Sequence, residues 1–155
     1  MKILNSLIKF LPSKPVFAHC DIPCGIYDPY LAQIAAHTII RMTKLIKEAG
    51  EDMHNIARLT HVKEDHAELV KKEVRIIWGD YFKKENLKDI PNLHEKVWNI
   101  MKLASKAKQG VDEGVAQDLL SSVQEFAEIF WKTKGFEPIR IPSGYPTKGE
   151  IVVHK

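Results

Sequence analysis

The chain has 155 residues, a length that suits one domain with its own core. Hydrophobic residues make up 45% and charged residues 28%, and the net charge of +3 comes from interspersed signs, as in ordinary globular domains. No basic block interleaved with aromatics argues for nucleic acid, no apolar run nears the ~20 residues of a membrane span, and two cysteines are too few for a disulfide scaffold.

The first segment, residues 1–18, has Lys2, an apolar patch at Ile3, Leu4, Leu7 and Ile8, then Lys9, Pro12, Lys14 and Pro15. A secretory signal needs an unbroken apolar core of roughly 7–15 residues, and Lys9 interrupts this one. Val16-Phe17-Ala18 nevertheless has the small-residue ending of a cleavage point. The segment reads as a propeptide; a poor export signal and a retained arm are the competing readings. The weak leader favours the cytoplasm.

Next comes His19-Cys20-Asp21-Ile22-Pro23-Cys24-Gly25-Ile26-Tyr27-Asp28-Pro29, which holds both cysteines. A cut after Ala18 would give His19 a free α-amine. The amine, the Cys20 amide nitrogen and the Cys20 thiolate can then close two adjoining five-membered chelates, and Cys24 adds a second thiolate. Two nitrogens and two sulfurs in a plane suit copper(II) or nickel(II), whereas zinc prefers a tetrahedron. Anionic donors stabilise a higher oxidation state, and the His19 imidazole can add an axial bond. Pro23 would rigidify a tight reversal, and Gly25 permits backbone angles that other residues resist. Cys-x3-Cys by itself is more often explained by free thiols or a loop disulfide.

Beyond this stretch the chain reads as four amphipathic helices. The first opens at Asp28-Pro29, a capping side chain before a favoured first helical residue, carries Leu31, Ile34, Thr38, Met42, Leu45 and Ile46 as its stripe, and stops at Gly50. The second spans about 52–78, with Ile56, Leu59, Val62, Leu69, Val70, Val74 and Ile77 inward. A polar connection occupies 79–90. The third runs from near Pro91 to Gly110 on Leu93, Val97, Ile100, Met101 and Ala104. The fourth starts near Asp112 on Val115, Leu119, Val123, Phe126 and Phe130 and closes at Gly135. Lys132 and Lys134 suit the negative end of its dipole. Short connections predict an all-α fold, an antiparallel up-down four-helix bundle with an N-terminal metal-binding hook and an irregular C-terminal tail. The division is 1–18 propeptide, 19–135 hook plus bundle, and 136–155 extended tail, where Pro138, Pro142, Gly144 and Pro146 forbid a helix.

The string from His19 to Pro29 resembles the hook of nickel-containing superoxide dismutases, whose pattern His-Cys-Asp-x-Pro-Cys-Gly-x-Tyr-Asp-Pro is matched at every fixed position. Trp78-Gly79-Asp80-Tyr81-Phe82-Lys83 is similar to the family's Trp-x-Asp-Tyr-Phe-Lys, and weaker agreement runs through Phe130-Trp131-Lys132-Thr133-Lys134. The resemblance covers about 19–134. It implies a homohexamer of right-handed four-helix bundles, a processing peptidase, and one nickel ion per subunit cycling between the +2 and +3 states. Superoxide, a small anion, would be the substrate. The implied metal ligands are His19 through amine and imidazole, Cys20 through amide and thiolate, and Cys24 through thiolate. Tyr27 would guard the open axial face, Asp21 and Pro23 would shape the hook, and Lys83 would steer the substrate.

Two positions depart from one branch of the family. Ala35 stands where a glutamate helps orient the axial imidazole, and His66 where an arginine joins the same network. Other histidines have plainer readings. His61 with Asp65 is an i,i+4 surface pair, and Glu51-x-x-His54 is half of a di-iron motif with no second copy. Trp78, Trp98 and Trp131 read as core or subunit-contact residues. The alternative functions are a nickel or copper trafficking or sensing protein using the hook without turnover, and a thiol module cycling Cys20 and Cys24.

Overall fold

The computed structural model describes residues 25–155. The leader, the cut after Ala18, and His19, Cys20, Asp21, Pro23 and Cys24 lie outside the described residues. The described chain is mostly helical: α1 (Tyr30–Glu48), α2 (Met53–Ile76) running into a π-helical turn (Ile77–Tyr81), a one-turn α3 (Asn86–Asp89), α4 (Leu93–Gln109) and α5 (Glu113–Thr133), then strands β1 (Pro138–Pro142) and β2 (Glu150–His154).

Local chemistry fixes the helix starts. Asp28 Oδ1 accepts the Tyr30 N–H at 2.8 Å, but Pro29 and not Asp28 occupies the N-cap position, and regular helix begins at Tyr30. Asp52 caps α2 through the Asn55 N–H at 3.0 Å, and Asp112 caps α5 through the Val115 N–H at 3.2 Å. Each of the four long helices packs on two others: α1 against α2 and α5, and α4 against the same pair. Leu93, Ile100, Leu119, Val123, Phe126 and Phe130 are wholly buried between them. Each such side chain contributes about 1.5–3 kcal/mol by leaving water.

The inward face of α1 differs from the expected stripe. Ala32, Ala35, Ala36, Ile39, Ile40 and Thr43 are buried together with Gln33 and His37, while Leu31 is 52% exposed and Ile34, Thr38, Met42, Leu45 and Ile46 are half-buried or exposed at the margins of that face. The reason is closeness. α1 packs most extensively on α2, and alanines let two helices approach where leucines would hold them apart. On α2, Val70, Val74 and Ile77 reach the core as expected, but Ile56 and Leu59 are only half-buried and Val62 is exposed. Lys63 takes the inward place, with its Nζ donating to the carbonyls of Ala107, Lys108 and Gly110. A lysine thus satisfies the orphan acceptors at the C-terminus of α4.

The C-terminal tail is not irregular. β1 and β2 form an antiparallel hairpin with Ile139 opposite Val153 and Ile141 opposite Ile151. Pro138 and Pro142 are tolerated because both lie on β1 at positions whose backbone nitrogens face away from β2. Val152 points into the core and is 1% exposed.

Candidate functional site

Tyr27 is the one predicted site residue of the hook region that lies among the described residues. Gly25, at φ +82°, adopts the left-handed backbone expected of it, Ile26 is 78% exposed, and the chain then turns Tyr27 inward to 8% exposure. The Tyr27 ring meets that of Tyr81 with centroids 5.8 Å apart and planes at 55°. Its carbonyl accepts from Lys134 Nζ at 3.4 Å.

Tyr81 is carried there by the π turn. Phe82 N–H donates to the Ile77 carbonyl at 3.3 Å, five residues back, and the wider turn continues the end of α2 past Trp78 and Gly79. Tyr81 packs on Phe130 at 4.7 Å and on Phe82 at 5.1 Å. Its hydroxyl lies 3.0 Å from Thr133 Oγ1, and Thr133 in turn donates to the Phe130 carbonyl at 2.8 Å. Because Thr133 spends its only proton on that carbonyl, Tyr81 is the donor between the two hydroxyls. The phenolic oxygen of Tyr81 keeps its acceptor capacity.

Lys134 lies over the faces of Phe130 and Trp131, 5.0 and 5.6 Å from their centroids. Neither Lys134 nor Lys83 is in an ion pair among the described residues. Lys83 is exposed two residues past Tyr81, where its backbone N–H donates to Asn86 Oδ1 at 2.8 Å. It lines a cleft of about 300 Å³ with Trp78, Phe82, Leu87 and His94. Two lysines outside any ion pair among the described residues thus stand just past the ends of the π turn and α5, each a cation that could attract a small anion.

Tyr81, Thr133 and Lys134 join the site in the structure although sequence reasoning does not single them out as site residues. All three stand inside the two family-like strings, so the signal is present there without a role attached to it.

The remaining histidines sit elsewhere. His61 Nε2 and Asp65 form the exposed pair at 3.4 Å, and His66 Nδ1 donates to the Val62 carbonyl at 2.7 Å. Ala35 is wholly buried and carries no polar side-chain atom. Trp78 Nε1 donates to His94 Nδ1 at 2.9 Å, Trp98 is 61% exposed, and Trp131 is buried. Among the described residues no group of three or more His, Cys, Asp or Glu side chains could hold a metal ion.

Donor chemistry decides which ion the residues before Tyr27 would accept. Cys20 and Cys24 would offer two thiolates and, were the chain cut after Ala18, an amine and an amide nitrogen would join them; nickel fits such a set. Among the described residues, Tyr27 and Tyr81 form an aromatic pair with Lys134 bonded to the Tyr27 carbonyl.

The family model described as nickel-containing superoxide dismutase matches residues 14–134. A curated nickel superoxide dismutase of Streptomyces seoulensis is 40% identical over 128 residues, covering 81% of this chain and 95% of that protein. The Streptomyces coelicolor protein of the same name is 40% identical over 126 residues with the same coverage. Among solved structures, a native nickel superoxide dismutase superposes with a TM-score of 0.70 at 38% identity, covering 75% of this chain and 99% of that one. This chain therefore belongs to the nickel-containing superoxide dismutase family.

Proposed function

We infer that the chain dismutes superoxide at a nickel centre built from the segment just ahead of Tyr27. Two superoxide anions and two protons become one dioxygen and one hydrogen peroxide. The observation that carries this reading is the family match through residues 14–134, joined to a Tyr27 ring held on Tyr81 at 5.8 Å. Relatives named as dismutases support turnover over mere metal trafficking.

The ligands are His19, through its amine and imidazole, Cys20, through its amide and thiolate, and Cys24, through its thiolate. The His19 amine requires removal of residues 1–18 by a peptidase. Bound there, nickel supplies a one-electron couple between its +2 and +3 states. Asp21 and Pro23 shape the hook. Tyr27 stands three residues past Cys24, its ring packed on Tyr81, and guards the open face of the centre. The Tyr81, Phe82 and Phe130 rings behind it keep bulk water from the inner side. Lys134 and Lys83 raise the local concentration of the anion, and their effect weakens with salt.

The helix contacts, with short links over 49–52 and 110–112, support an antiparallel up-down four-helix bundle carrying this hook. Exposed Trp98 and Leu31 are surface that a homohexamer would cover. No helix among the described residues is long and apolar enough to cross a membrane, and the interrupted leader supports a cytoplasmic place.

Mass spectrometry, metal analysis and stopped-flow superoxide decay on the same sample test the reading. A chain beginning at His19 with one nickel should remove superoxide catalytically, and the uncut or zinc-loaded chain should not. Tight nickel binding without turnover, or turnover surviving complete chelation, would overturn it.

A further inference from the structure

The hairpin lies beyond residue 134, where the family match ends, yet it is not an appendage. The Gln33 side chain is wholly buried and behaves like a third strand. Its Nε2 donates to the Val152 carbonyl at 2.9 Å, and its Oε1 accepts the Val152 N–H at 2.7 Å. One turn further along α1, His37 lies 2.8 Å from Thr147 Oγ1 through Nδ1 and 3.0 Å from the Glu150 carbonyl through Nε2. A carbonyl only accepts, so Nε2 carries the proton and Nδ1 of the neutral ring accepts from Thr147. A Cβ on Gly149 would fall 2.7 Å from His37 Cε1, so this approach requires glycine. At the start of α1, the Tyr30 and Tyr145 hydroxyls are 3.2 Å apart.

The same segment is tied to α5. Gln124 Nε2 donates to the Glu150 carbonyl at 2.6 Å, and Arg140 donates to Glu128 at 2.7 Å and to Gln124 Oε1 at 3.1 Å. His154 packs on Trp131 with centroids 4.2 Å apart. Lys134, at the root of the hairpin, reaches the Tyr27 carbonyl. Residues 134–155 thus grip positions 27, 30, 33 and 37 in succession, all within the stretch that begins three residues after Cys24.

We propose that the C-terminal hairpin is a clamp that positions the start of α1, and with it Tyr27, for the chemistry of the hook. Gln33 is its central positioning residue and Tyr145 its outer one. The role in turnover rests on the dismutase reading; the clamp itself does not. It holds by bonding to backbone and side chains along one helix face, so its loss loosens the first turns of α1 before it loosens the core.

Amide hydrogen exchange and superoxide decay, measured on the full processed nickel-loaded protein, test this. Gln33→Met removes both bonds to Val152 at nearly constant volume, and should speed exchange at residues 30–34 about tenfold while α4 amides keep their rates. Turnover per bound nickel should fall by a similar factor, with nickel content unchanged. Tyr145→Phe, a gentle change at the rim of the clamp, should give about twofold to threefold in the same amides. The proposal is overturned if exchange at 30–34 is unaltered in both variants, or if α4 amides accelerate equally, since that marks general loosening. It is also overturned if exchange quickens locally while turnover per nickel stays constant. Should the unaltered protein bind nickel and lack turnover, the dismutase reading fails, and the exchange comparison alone still decides whether the hairpin clamps α1.

Discussion

Lys63 and Lys134 are the same side chain put to opposite uses at two places in the fold. Lys63 is 1% exposed and donates to three carbonyls at the end of α4, so all three of its protons are spent. Lys134 is exposed, lies over two aromatic rings, and holds one carbonyl at 3.4 Å. A saturated cation is part of the framework and has nothing left for a ligand. A cation with one long bond and, among the described residues, no ion-pair partner keeps capacity for an incoming anion. His37 stands between the two: it is 3% exposed and bonded at both nitrogens, but it is neutral.

Substitution separates these roles. Lys63→Met should lower stability by about 3 kcal/mol in urea unfolding, because several α4 carbonyls lose their partner, while turnover per nickel is retained. Equal loss of turnover would break the contrast. Lys134→Met should lower kcat/KM about tenfold at low salt, an effect that shrinks as ionic strength rises, with stability changed by less than about 1 kcal/mol. A salt-independent loss would mean that Lys134 acts through Tyr27 alone.

Burial holds the His37 pKa below its ordinary value of 6.5, with the Glu150 carbonyl opposing in part. Below that value the unfolded chain takes up a proton that the folded chain refuses, so stability falls as pH drops under 6.5. The slope cannot exceed about 1.4 kcal/mol per pH unit from this one group. His37→Gln should flatten that part of the pH profile, read by urea unfolding between about pH 5 and 7. Lys83→Met should have the smallest effect, about twofold on kcat/KM and again salt-dependent, since its ammonium is exposed and screened.

The hook string and the two later long helices are legible in the sequence because their signals are local. Leu93, Val97, Ile100, Leu119 and Phe126 recur at helical spacing and are buried as that spacing requires. On α1 the largest side chains mislead: Ala32, Ala35 and Ala36 face inward because α2 lies close, a fact of tertiary contact that residue size does not carry. The inward place of Lys63 is hidden for the same reason, since its carbonyl partners are more than forty positions away. The hairpin escapes a sequence reading because prolines argue against helix and against an interior strand alike, and only pairing with β2 reveals which remains. Tyr81 stands in a matching string, but its bearing on Tyr27 depends on a π turn that no periodicity announces.

The ladder between β1 and β2 has one more consequence. Lys155 N–H bonds to the Glu137 carbonyl and Ser143 N–H to the Gly149 carbonyl, so odd-numbered positions of β1 face the partner strand, and Pro138, Arg140 and Pro142 face the open side. Two of those three positions have no amide hydrogen to offer. A chain in a crowded solution meets many stray extended segments, and this border withholds two of the three amide donors such a segment would need, which works against fibre growth along it.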